Sequence, residues 1–138
     1  MQATDWPAFL AQHDLTWRQL PTRWEEAPYL GNGLLGSMLY REGEGNTIRL
    51  QVFRSDVHDH RDNSYGWTAY SRPRFVVGHF SLEPVGKLLG CDWRLDLWNA
   101  ELRGTITTDV GVIGIRHYVH AEEMLIVTEL SPSERERG

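Results

Sequence analysis

The sequence predicts a mainly β protein: an antiparallel β-sandwich preceded by one short N-terminal helix. Three observations predict it. From residue 34 onward, short runs of apolar or alternating residues recur at roughly ten-residue spacing. Polar, Gly-bearing segments punctuate these runs. A helical pattern with a start signal is confined to the first dozen or so residues.

That helix opens at Thr4-Asp5, a side-chain N-cap, with Pro7 in its first turn, where a missing N–H costs nothing. Trp6, Phe9 and Leu10 share one face, and the segment is expected to end near His13-Asp14. Trp17, Leu20 and Trp24 follow at spacings of three and four, but Pro21 argues against a second regular helix. Gly31-Asn-Gly33-Leu-Leu-Gly36 spells a GxGxxG phosphate loop. A strand rather than a helix follows it and no strand leads into it, so a dinucleotide-binding unit is excluded. The glycines instead suit a tight entry into the first long strand, allowing positive φ and close backbone approach. Strands are then expected over residues 34–40 and 47–53, joined by the polar hairpin loop 41–46, and over 74–82. Trp93, Leu95 and Leu97 alternate with Arg94, Asp96 and Trp98, a period-two stripe. Further strands are expected over 101–107, 111–120 and 124–130, with turns at 109–111 and 120–123. One domain over residues 1–131 and a charged tail over 132–138 complete the organisation.

Composition narrows the function classes. The 138 residues fit one domain. A net charge of −5 and a pI near 5.6 argue against a general nucleic-acid binder, which needs a positive face for phosphates. No apolar run approaches the ~20 residues of a membrane span. The N-terminus lacks a basic region followed by an apolar one. Cytoplasmic residence fits, as would a periplasmic or secreted location after removal of a signal. Cys91, the one cysteine, can form no internal disulfide and no Cys-rich zinc site; it is expected to be a small buried hydrophobe. No cofactor is called for. Six Trp, in a chain that is 11% aromatic, are a surplus that needs an account.

The densest cluster of reactive side chains is Asp56-Val-His58-Asp59-His60-Arg61-Asp62, inside an aperiodic stretch, 54–72, too long for an ordinary loop. In extended backbone Asp56, His58 and His60 point to one side. They could form a polar wall that hydrogen-bonds a hydroxylated ligand, or a site for zinc or manganese. Tyr65, Trp67 and Tyr70 add aromatic faces for stacking on a sugar ring. Elsewhere the signals are weak. His117 and His120 fall on opposite strand faces and, with His79, read as surface or interface histidines. Glu25-Glu26 and Glu122-Glu123 diverge rather than face each other across a sugar, as a glycosidase needs. Ser37 lacks the Gly-x-Ser-x-Gly context of a nucleophile.

A family resemblance rests on two segments. Asp14-Leu-Thr-Trp17, Leu20-Pro-Thr-Arg-Trp24 and Leu30-Gly-Asn-Gly-Leu-Leu-Gly36-Ser-Met-Leu resemble the opening of the N-terminal domain of glycoside hydrolase family 95 and family 65-like enzymes. Leu95-Asp-Leu97-Trp-Asn-Ala100, Gly111-Val-Ile-Gly-Ile-Arg116 and Met124-Leu-Ile-Val-Thr-Glu-Leu130 are similar to later strands of that domain. Together they cover residues 5–131. Where many members carry an Asn and a Trp after the second strand, this chain has Leu50 to His58 without either, so α-L-fucose specificity does not carry over directly. The resemblance implies a supersandwich-like fold, here incomplete, that supports a downstream (α/α)6 barrel of the same polypeptide. The general acid and base would lie in that barrel, so no catalytic residue maps onto this chain. It also implies that Trp17, Trp24, Trp93 and Trp98 pack the sandwich, and that Asp56, His58, His60, Tyr65 and Trp67 contact carbohydrate. A free-standing carbohydrate-binding module and a small metal-dependent enzyme built on Asp56, His58 and His60 are the alternatives. A second copy of the chain is a further partner left open.

Overall fold

The computed structural model describes residues 3–58 and 74–137. These residues form helix α1 (Trp6–Leu10) and, among the described residues, nine strands: β1 (Leu15–Trp17), β2 (Tyr29–Gly31), β3 (Leu35–Arg41), β4 (Ile48–His58), β5 (Arg74–Leu82), β6 (Leu88–Asp96), β7 (Glu101–Thr108), β8 (Val112–Val119) and β9 (Ile126–Pro132). The strands form two antiparallel sheets: β1-β6-β7-β8-β9 and β2-β3-β4-β5. The chain therefore starts in the five-stranded sheet, builds the four-stranded one, and returns. The mainly β, antiparallel sandwich with a short N-terminal helix is what the sequence predicted.

The core lies between the sheets. On β6 and β8 the period-two pattern buries Cys91, Trp93 and Leu95, and Ile113, Ile115, His117 and Val119. Leu102 and Ile106 of β7 join them, facing Leu30, Leu35, Leu39, Ile48 and Leu50 from the other sheet. Cys91 is buried as expected, and burial pushes its thiol up to about 12, so it is not a nucleophile at neutral pH. Asn32 couples the layers. Its Oδ1 accepts from the amides of Leu34 and Leu35, while its Nδ2 donates to the His120 carbonyl at 2.9 Å. Gly33 beside it has φ +93, the left-handed turn predicted for this segment.

Several expectations need correction. The strand expected to stop at residue 53 continues to His58, because β4 resumes pairing with β5 at His58–Arg74 after an irregular stretch. β1 and β2, each three residues long, carry too little alternation to be read as strands. The period-two stripe stops at Asp96: the Asp96 carboxylate caps the turn by accepting from the Trp98 and Asn99 amides, leaving Leu97 and Trp98 exposed. α1 keeps its Asp5 cap and ends in a 3-10 turn, Ala11–His13, but buries none of its residues. Its Trp6 and Phe9 stack edge-to-face on each other, 6.0 Å apart, instead of entering the core. Trp93 is fully buried and Trp17 packs against the core, whereas Trp24 and Trp98 are exposed, so sandwich packing explains only part of the Trp surplus. His117 is not at the surface; it is fully buried on the inner face of β8.

Candidate functional site

The sequence-predicted residues come into view only in part. Asp56 and His58 lie near the end of β4, while His60, Tyr65 and Trp67 lie outside the described residues. Asp56 is exposed and already engaged: both its oxygens accept from Arg54, at 2.9 and 2.7 Å. These Arg54 hydrogen bonds hold its carboxyl below the ordinary carboxylate range, so it is ionised at neutral pH. A carboxylate held ionised in a two-point fork is a poor general acid at neutral pH. Among the described residues no group of three or more His, Cys, Asp or Glu side chains is placed to hold a metal ion.

The same end of β4 borders a depression that the sequence reading missed. It measures about 210 Å³ and is lined by Tyr29, Leu34, Gly36, Phe53, Arg54 and Ser55, among others. Its shape follows from one small residue. β2 pairs with β3 so that Gly31 lies opposite Gly36, and β3 pairs with β4 so that Gly36 lies opposite Phe53. The Tyr29 ring lies directly over Gly36, where any Cβ would collide with the phenol. This brings the exposed Tyr29 ring to 6.1 Å from Phe53, tilted by 52°. Arg54, which holds Asp56, lines the same depression. A second depression of about 270 Å³, lined by Leu30, Leu95, Leu97 and Ala100, shares Tyr29 as its wall. The signal for this site is Gly36 itself, but its meaning depends on the β2–β3 register, and β2 is too short to be recognised from its pattern.

Chemically, the depression offers apolar ring faces beside Arg54, groups suited to the C–H face and adjacent hydroxyls of a small polar ring. Among the described residues it has no two carboxyl groups facing each other, the usual arrangement for glycosidic hydrolysis. No protein-family model matches the chain, and no curated protein matches it. No helix among the described residues is long and apolar enough to cross a membrane.

Proposed function

We propose that the chain is a non-catalytic, N-terminal β-sandwich domain of a glycoside hydrolase, which supports a helical barrel and lends residues to its sugar pocket. The observation that carries this reading is the Tyr29–Phe53 depression, lined also by Arg54, an aromatic surface on which the described residues form no acid–base pair. Two others support it. The Asn32 segment on which the family resemblance rests does structural work, tying the sheets together. The exposed Trp24, Tyr29 and Trp98 give aromatic surface for a neighbouring domain to cover.

Reading the natural gene beyond Gly138 and expressing the whole product tests this. The reading expects several hundred helix-patterned residues there. It also expects aryl-glycosidase activity in the whole product, none in residues 1–138 alone, and poor solubility of the barrel without this domain. A stop codon directly after Gly138 would sink it. The exposed aromatic depression also favours the free-standing carbohydrate-binding module. Millimolar or tighter binding of a simple sugar by residues 1–138 alone, lost on Tyr29→Ala, would favour the module over the supporting domain.

A further inference from the structure

The two sheets part where their edge strands, β5 and β9, face each other. The cleft between them measures about 370 Å³. Its walls are Leu50, Val52 and Phe80 from one sheet and Ile126 and Leu130 from the other, and its polar groups include Ser37 and Thr128. Phe80 is on the inward-facing register of β5, opposite Leu50, yet it is 69% exposed. Gly78 lies opposite Val52 in the same row, and a Cβ built there would meet no atom of the described residues within 4 Å. The cleft is thus open at its edge and apolar along its sides.

Its polar end is unusual. Ser37 is fully buried on β3, and its Oγ has no hydrogen-bond partner among the described residues. An unsatisfied buried hydroxyl is costly, and native structures normally provide it with a partner. Thr128 Oγ1 stands 2.8 Å from His117 Nδ1, and the imidazole, kept neutral by burial, leaves its Nε2 equally without a partner among the described residues.

We propose that this cleft binds an uncharged amphipathic small molecule, an alcohol or phenol whose hydroxyl meets Ser37 and whose apolar body lies between the sheets. Among the described residues no charged side chain lines the cleft. A carboxylate or ammonium would therefore be desolvated there without a counter-charge. A free sugar is equally disfavoured, since its many hydroxyls would face mostly hydrocarbon. The volume suits roughly ten to fifteen non-hydrogen atoms. Depth argues for a small molecule over an added strand: Ser37 is on β3, and β4 separates it from the β5 edge, where a strand would pair. The site is distinct from the Tyr29 depression and stands whether or not the carbohydrate reading does.

Calorimetric titration of the full chain with 4-butylphenol, with octanoate and methyl glucoside as comparators, tests the proposal. The phenol is expected to bind with a Kd of roughly 0.1–1 mM. Octanoate at pH 7 and the glucoside should bind at least about tenfold more weakly. Gly78→Leu, which fills the cleft from its edge, should abolish binding, and Ser37→Ala should weaken it about tenfold. Should Gly78→Leu fail to fold, as judged by circular dichroism, Ser37→Ala and Thr128→Val carry the test. Absence of phenol binding, equal binding of octanoate, or affinity untouched by Ser37→Ala would each overturn the proposal. So would sedimentation showing a dimer whose dissociation exposes Phe80, because a second copy would then fill the cleft.

Discussion

His117 has exchanged water for the protein interior, with Thr128 as its one hydrogen-bond partner among the described residues. Burial pushes its pKa down from 6.5 to about 4. The folded protein therefore holds fewer protons than the unfolded chain between those values. Above pH 6.5 both states are neutral and stability is complete; as pH falls towards 4 the unfolded state gains a proton that the folded state refuses. The loss across that window is of the order of 3 kcal/mol at most. Urea unfolding at pH 7.5 and 5.5, above the ordinary Asp and Glu range, should show a falling midpoint in the wild type and a much flatter one in His117→Gln. Equal slopes would refute it. Gly104 gives a second residue-scale test. At φ +150 a Cβ there would overlap the carbonyl oxygen of Asp92 on the paired strand. Gly104→Ala is expected to destabilise by roughly 3 kcal/mol, because strand backbone must move to relieve the clash. The sequence shows that Gly104 lies in a strand, but only the β6–β7 register shows what it nearly touches. The same limit governs the tryptophans. Trp93 sits in an alternating stripe and is buried, while Trp98, next to the same stripe, is turned outward by the Asp96 cap.

Alternation carries the long strands, so β5, β7 and β8 are legible in the sequence to within a residue or so. Three-residue elements are not, because β1 and β2 owe their conformation to the strands they pair with. The charged C-terminal stretch shows the same dependence on distant partners. Glu134–Glu136 form a 3-10 turn, and the Glu136 carboxylate is buried, accepting from the amides of Val85 at 2.9 Å and Gly86 at 3.1 Å and from the Thr108 hydroxyl. Composition marks this segment as a charged tail; the partners of Glu136, 28 to 51 residues earlier, give no local signal. Gly86 participates through its size as well, since a Cβ there would crowd Thr108, Asp109 and Val110. Glu136→Ala should leave two buried or half-buried amides without an acceptor and cost about 1–3 kcal/mol in urea unfolding. Glu136→Gln, keeping one carbonyl oxygen, should cost less. An alanine variant as stable as the wild type would show that the turn is not docked in solution.

The path of the chain sets which parts of the whole molecule hold together longest. β6 to β9 are neighbours in both sequence and sheet, so that meander needs only short loop closures. β1 joins the same sheet on its other side by pairing with β6, across the entire four-stranded sheet in sequence. Its attachment has few parts. Asp14, with its side chain almost buried, accepts from Arg94 and from the Leu97 amide at 3.0 Å, while Trp17 Nε1 donates to the Glu26 carbonyl at 2.8 Å. A three-residue edge strand closed over so long a loop should open below the free energy of global unfolding. Removing the buried carboxylate by Asp14→Ala should therefore speed amide exchange in Leu15–Trp17 by tenfold or more. Exchange at Leu102, Ile106 and Ile115, in the centre of the sheet, should stay within about twofold of the wild type if the opening is local. Hydrogen–deuterium exchange resolved by residue reads both. Uniform acceleration across β6 to β9 would mean that β1 is part of the cooperative unit. No change at β1 would mean that Asp14 does not hold it. The expected gradient, fast at β1 and slow at β7 and β8, would make β1 a docked strap over a sheet that is complete without it.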